Sequence, residues 1–223
     1  MLLRKPEMAL FDLDGTLVDT APDLAHAIDT MLLEMELPAR GEERVRGWIG
    51  NGIERLVKRA LTNDFYGEPE ADVFERGLAL FVDIYANNAC VKSRIYPGVM
   101  DAIDWLKTKH CKLGCVTNKR GMFTAKVLDT LGLSEHFSIV ISGDTLVKKK
   151  PDPLPLLHAA DFLGVPATNG LMIGDSITDI IAANNAGFQM LYVTYGYNQG
   201  RDIRQLQLDA ILDSLIELPA IFQ

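Results

Sequence analysis

Five short apolar runs recur along the chain: EMALFDL (7–13), KLGCVT (112–117), FSIVIS (137–142), LMIGD (171–175) and QMLYVTY (189–195). They are bounded by Gly, Asp or Asn and lack a sustained 3.6-residue period, so each reads as a strand. Between them lie segments with helical periodicity, VMDAIDWLKTKH (99–110), FTAKVLDTLG (123–132), DPLPLLHAADFLG (152–164) and SITDIIAANNAG (176–187). Gly132, Gly164 and Gly187 fall where glycines end helices. A chain that alternates fully apolar strands with helices is confined to a parallel sheet layered between helices. The expected fold class is α/β, with a doubly wound, Rossmann-like core.

Residues 20–90 break the alternation. They carry helical patterns and no convincing strand. Thr20 can cap a helix with Pro22 near its start, running through DLAHAIDTMLLEMEL. GEERVRGWIGNGIERLVKRALT follows, interrupted at Gly50-Asn51-Gly52, and then PEADVFERGLALFVDIYANN. A helical block inserted after the first strand reads as a second, all-α unit. Its expected span is residues 17–91, with residues 1–16 and 92–223 forming the α/β core. At 223 residues and 48% hydrophobic content, the chain can bury a large core beside a smaller companion.

The formal net charge is −8. Such a field does not draw in phosphate polymers or anionic lipid, which argues against nucleic-acid and membrane partners. No run approaches the ~20 apolar residues of a membrane helix, and Arg4, Lys5, Glu7 and Asp12 interrupt any signal-like stretch near the start. Cys90, Cys111 and Cys115 form no CxxC pair. Across four strand steps of about 3.3 Å, Cys111 and Cys115 are too far apart to bridge. The expectation is a cytoplasmic protein with reduced thiols, monomer and homodimer being equally compatible. His26, His110, His136 and His158 sit on separate segments and form no metal pattern.

In an open parallel sheet the ligand site lies beyond the carboxyl ends of the strands. Asp12, Thr117 and Asp175 all fall at such ends. The strand period of two turns Asp12 and Asp14 to one side, and Gly15 permits a tight turn after them. Read alone, DLDG is either an acidic turn or a ligand site. GDSITD (174–179) adds Asp175, with Asp179 in the first turn of a helix where negative charge is favoured. Carboxylates converging at one sheet edge repel unless a cation compensates them. Hard oxygen ligands with room for water and phosphate suit Mg²⁺. Lys150, the last of three lysines before Pro151, can deliver an ammonium to the same edge, or be part of a solvated run. Thr117 and Asn118 offer a hydroxyl and main-chain N–H groups able to hold phosphate oxygens.

These four segments, in this order, resemble the haloacid dehalogenase superfamily, with its DxDGT, strand-end Ser/Thr, Lys before Pro, and GDSxxD. The resemblance spans nearly the whole chain. It implies that Asp12 is a nucleophile and Asp14 a general acid/base, and that Thr117 and Lys150 bind the transferring phosphoryl group. It also implies that Mg²⁺ is held by Asp12, Asp175 and the Asp14 carbonyl, with Ser176 and Asp179 supporting these ligands rather than touching the metal. The helical insert corresponds to the mobile cap of that superfamily. Asp14 argues against a true dehalogenase, which needs neither Mg²⁺ nor a leaving-group acid.

ELPARGEERVRGWIGNGIERLVKRALT and VTYGYNQG resemble the phosphoglycolate phosphatases within the superfamily. That likeness implies a small anionic phosphate ester, 2-phosphoglycolate, hydrolysed to glycolate and phosphate through an aspartyl-phosphate. The Gly50-Asn51-Gly52 segment could present N–H donors to the substrate carboxylate, with Arg46, Asn51 and Arg55 as further contacts, or be only a helix break. Trp48 and Tyr197 read equally as packing residues or substrate contacts. Competing functions on the same residues are a sugar phosphomutase, another small-metabolite phosphatase and a non-catalytic phosphate-binding module. A phosphonate hydrolase would need a cap lysine, for which Lys58 is the clear candidate.

Overall fold

The computed structural model describes residues 3–197, 203 and 206–222. The expected strands form as β1 (Met8–Phe11), β4 (Lys112–Val116), β5 (Ile139–Ile141), β6 (Gly170–Gly174) and β7 (Gln189–Val193). A sixth, β8 (Ala210–Leu212), extends the sheet, whose order is β5-β4-β1-β6-β7-β8 with every pairing parallel. The chain leaves β1 toward β4 and β5, then returns on its other side through β6. The topological switch therefore lies beside β1, and Asp12 is the first residue beyond that strand.

Helices cover both faces, which explains why the strands are apolar throughout rather than alternating. Ala9 and Phe11 of β1 pack with α5 (Val99–Thr108), α6 (Gly121–Thr130) and the C-terminal 3₁₀ turn Leu215–Ile221. Met8 and Leu10, pointing the other way, pack with α7 (Leu154–Leu163) and α8 (Ile177–Ala186). Helix α8 begins with a capping box, Ser176 accepting from the Asp179 N–H while the Asp179 carboxylate accepts from the Ser176 N–H. Cys90, Cys111 and Cys115 are free thiols.

The insert is helical, as α1 (Ala21–Glu34), α2 (Glu42–Arg46), α3 (Ile53–Thr62) and α4 (Ala71–Asn88). Its apolar faces enclose their own core, including Ile28, Met31, Trp48, Val57, Phe81 and Tyr85, to which Phe123 and Tyr197 are the contributions from the sheet domain. Where the chain enters and leaves the insert, β2 (Val18–Asp19) and β3 (Arg94–Ile95) pair antiparallel, two residues each. Thr20 does precede α1, but its hydroxyl does not cap the helix. The Tyr197 hydroxyl takes that role from 177 residues away, accepting from the N–H groups of Thr20 at 2.7 Å and Ala21 at 3.0 Å. Among the described residues no helix is long and apolar enough to cross a membrane.

Candidate active site

The strand ends bring Asp12, Thr117 and Asp175 to one edge of the sheet, all buried. Asp12 lies at the centre. Its Oδ1 accepts from the Leu13 N–H at 2.7 Å and faces the Lys150 ammonium at 3.1 Å. Lys150 in turn binds Asp179 Oδ1 at 2.6 Å and the Val116 carbonyl. Its three N–H donors thus meet three oxygens. Burial works against that ammonium, yet Asp12 and Asp179 outweigh it and hold Lys150 above the ordinary lysine range.

One carboxylate oxygen from each of Asp12, Asp175 and Asp179 can be chosen so that all three lie within 4.8 Å of one another. Burial pushes the Asp12 carboxyl up to about 7, against the opposing pull of Lys150 and with Asp179 and Asp14 adding to the rise. Asp175 is driven well above the usual carboxylate range, first by burial and then by Asp12 and Asp179. Without a cation the cluster holds its charge only at a cost. The donors are all hard oxygens, and with Asp14 the site sets four carboxylates against the ammonium groups of Lys150 and Lys119. A divalent, oxygen-seeking cation matches that excess, so the residues fit Mg²⁺.

The loops around Asp175 are built to hold it still. Thr16 Oγ1 donates to Oδ1 at 2.8 Å and the Tyr197 N–H to Oδ2 at 2.7 Å. Gly15, at φ +86°, passes so close that a Cβ there would overlap the Asp175 carboxylate and the Tyr197 ring. This is what the glycine of DLDGT is for: the two loops can close on one another only without a side chain at this point.

Asp14 is turned to a different set of partners. Lys119 Nζ lies 2.9 and 3.1 Å from its two oxygens, and the Thr20 hydroxyl donates at 2.6 Å. The Asp14 carboxylate thus faces the insert while Asp12 faces the acidic cluster. Sequence reasoning missed Lys119. Only 3% exposed, it follows Thr117 and Asn118 in the loop after β4 and lies 5.0 Å from the Tyr85 ring centroid. The available signal was its position two residues beyond a strand end already assigned to the site. Asp14 and, behind it, Tyr85 hold its ammonium above the ordinary range despite the penalty of burial.

A narrow cleft opens over these groups, floored by Asp12, Asp14, Thr117, Asn118 and Lys119 and roofed by Leu24, Ile49, Gly50, Gly52, Ile53 and Leu56 of the insert. Thr117 Oγ1 accepts from the Lys119 N–H at 3.2 Å. Asn118 ties the two halves together, its Nδ2 donating to the carbonyls of Gly50 at 3.0 Å and Lys150 at 2.9 Å, while its buried Oδ1 has no partner. The glycine-bounded start of α3 is therefore at the cleft, as the sequence suggests.

The three polar side chains expected beside it are not among the cleft's lining. Arg46 grips Asp19 with two bonds, at 2.9 and 3.1 Å, binds Glu42 and lies over the Tyr197 ring. Arg55 is bound to Glu68 and to the Phe65 carbonyl, and Lys58 to Glu68. The Asn51 side chain accepts from Arg59 at 2.9 Å. Each has an acceptor or donor inside or beside the insert that a linear reading does not reveal. Trp48 is a packing residue of the insert, and Tyr197 is both packed and hydrogen-bonded at the hinge. Of the VTYGYNQG stretch, Asn198, Gln199 and Gly200 lie outside the described residues.

The model of the haloacid dehalogenase-like hydrolase family matches residues 9–193. The chain is 52% identical to a phosphoglycolate phosphatase of Nitrosococcus oceani over 217 residues, covering 97% of this chain and 96% of that one. It is 46% identical to a phosphoglycolate phosphatase of Nitrosospira multiformis over 96% of this chain and 94% of the relative. Among solved structures, a predicted phosphoglycolate phosphatase from Haemophilus somnus superposes with a TM-score of 0.91 at 35% identity, covering 99% of this chain and 100% of that one.

Proposed function

The chain belongs to the haloacid dehalogenase-like hydrolases and is a phosphoric monoester hydrolase; from this and the cleft we propose that it hydrolyses 2-phosphoglycolate to glycolate and phosphate. The observation that carries the reading is the pairing of Asp12, ion-paired to Lys150 beside two further acids, with Asp14, held apart from them on the insert side. One carboxylate is arranged to meet phosphorus and the other to meet the leaving oxygen.

In the proposed reaction Asp12 attacks phosphorus and the ester P–O bond breaks, giving an aspartyl-phosphate and the free alcohol. Asp14 protonates the departing oxygen, then removes a proton from the water that attacks the acyl phosphate. Lys150 and the Thr117 hydroxyl hold the phosphoryl oxygens, and main-chain N–H groups at Thr117–Asn118 add to them. Asp12, Asp175 and the Asp14 carbonyl would hold Mg²⁺, which would supply charge neutralisation between the nucleophile and the phosphoryl group. Asp179 and Ser176 fix Lys150 and the start of α8. The insert, residues 17–91 on the sequence reading, acts as a cap that closes over the ester and excludes water. Arg46, Asn51 and Arg55 shape that cap through their own partners. Three free thiols, Cys111 and Cys115 buried and Cys90 partly so, suit a reducing cytoplasmic setting.

The test is phosphate release from 2-phosphoglycolate with Mg²⁺ and no added bisphosphate, joined to acid-quenched mass spectrometry of the Asp12 peptide. Phosphate release and an 80-Da adduct on Asp12, absent in Asp12→Asn, are expected, the mass being about that of a phosphoryl group. Turnover that needs a bisphosphate activator would point to the mutase instead.

A further inference from the structure

We propose that Lys119 reads the leaving group: its ammonium binds a carboxylate carried on the alcohol side of the ester, within two bonds of the bridging oxygen. This rests on the phosphatase reading above and assigns the class of ester it accepts.

A dianionic phosphoryl group and a carboxylate on one small molecule need separate cations. Lys150, paired with Asp12 and Asp179 and bound to the Val116 carbonyl, is the cation assigned to the phosphoryl oxygens. Arg46, Arg55 and Lys58 are committed to Asp19, Glu42 and Glu68. Among the described residues that line the cleft, Lys119 is the one cationic side chain. Its ammonium meets the two Asp14 oxygens with the neutral Tyr85 side chain behind it, so the charged group that meets it directly is the single Asp14 carboxylate.

Position matters as much as charge. Asp14 is the acid placed for the bridging oxygen, and Lys119 touches Asp14 directly. A group two bonds from that oxygen is brought beside Lys119 whenever the oxygen is brought to Asp14. The carboxylate of 2-phosphoglycolate stands at that separation. Leu24, Ile49, Ile53 and Leu56 wall the same cleft, so an ammonium–carboxylate contact formed there is weakly screened. The short distance also sets a size limit: a longer alcohol would carry its anion past Lys119 into the apolar roof.

The experiment compares kcat/KM for 2-phosphoglycolate and for ethyl phosphate, whose leaving group replaces the carboxylate with a methyl, in wild type and Lys119→Met. The preference for 2-phosphoglycolate should fall by about 30-fold in the variant, the range expected for one charged hydrogen bond. Ethyl phosphate turnover should drop by less, through the lost partner of Asp14. Equal losses on the two esters would show that Lys119 acts only through Asp14, and would overturn the proposal. A second measurement needs no variant: inhibition of the wild type by glycolate against its neutral isostere glycolamide. Glycolate should bind at least about tenfold tighter; equal inhibition would also overturn the proposal. A wild type that releases phosphate from neither ester, yet does so from another, removes the 2-phosphoglycolate reading and this proposal with it.

Discussion

Asp12 is asked to be an anion in a place that disfavours anions, and that tension is measurable. In the metal-free protein burial raises its folded pKa to about 7 from the ordinary 3.8. An acid whose folded pKa is raised holds its proton longer folded than unfolded. Its contribution to stability is therefore lost as pH climbs from about 3.8 through about 7. Asp12→Asn removes that penalty together with the proposed nucleophile. With metal absent at pH 8, the variant should melt at or above the wild-type temperature, while turnover with Mg²⁺ falls by about 10³-fold or more. Calorimetry in chelator and a phosphate-release assay check the two halves, with mass spectrometry excluding deamidation. At this scale the sequence was informative for residues whose chemistry is carried by a local pattern. Asp12, Asp14, Lys150 and Asp175 each stand at a strand end or a loop tied to one. It did not reveal the partners of Arg46 and Arg55, because these depend on where Asp19 and Glu68 arrive in space. Lys119 stayed hidden for the same reason, its partner lying 105 positions earlier.

Helix α1 shows what an element owes to distant chain. Its first N–H groups find their acceptor in Tyr197, whose hydroxyl donates onward to Asp19 Oδ1 at 3.0 Å and whose ring lies under Arg46. The Tyr197 main-chain N–H meanwhile holds Asp175. Tyr197→Phe keeps the ring and the N–H but strips the cap. Lost caps cost about 1–2 kcal/mol, so the melting temperature should drop by roughly 2–8 °C for a chain of this size. Asp175 keeps its N–H donor in the variant, so Mg²⁺ affinity should change little; a large loss of affinity would mean the hydroxyl also sets the metal-side loop. The long elements were legible from periodicity, since α4 and α1 offer many turns of pattern, and the five strands β1, β4, β5, β6 and β7 fall within short, mostly apolar runs. The short β2, β3 and β8 were not. Two- and three-residue strands have no period to read, and they exist because a neighbouring strand presents free N–H and C=O groups.

Away from the hinge, where Thr20 binds Asp14 and Tyr197 binds Thr20, Ala21 and Asp19, the polar contacts between the insert and the α/β layer include Arg120 with Glu54, Lys126 with the Ala86 carbonyl, Lys149 with the Asn51 carbonyl, and Asn118 with Gly50. A partly exposed ion pair such as Arg120–Glu54 contributes little, about 0.2–1 kcal/mol. If the insert opens about its hinge on turnover as proposed, Glu54→Ala should move KM and kcat together by no more than about fivefold. Steady-state kinetics on 2-phosphoglycolate checks this, and a loss of 100-fold would place Glu54 in the chemistry instead.

A cation bound at the acidic cluster would tie the same two-part molecule's stability to its activity. The acidic cluster draws Asp12 from β1, Asp175 from the end of β6 and Asp179 from α8, so a bound ion joins both sides of the switch point. A ligand that binds only the folded chain stabilises it by an amount set by its concentration over Kd, about 2.7 kcal/mol at a hundredfold excess. Adding Mg²⁺ to chelator-treated protein should therefore raise the melting temperature progressively with concentration, and restore turnover over the same range. In Asp175→Asn the melting increment should shrink or vanish, because the variant loses a ligand and the repulsion that metal relieves. Ca²⁺ should raise the melting temperature without restoring turnover. Its longer bonds and larger coordination number let it engage both oxygens of Asp12 and so occupy the nucleophile. Full activity in excess chelator, or melting temperatures indifferent to Mg²⁺, would remove the metal from both roles.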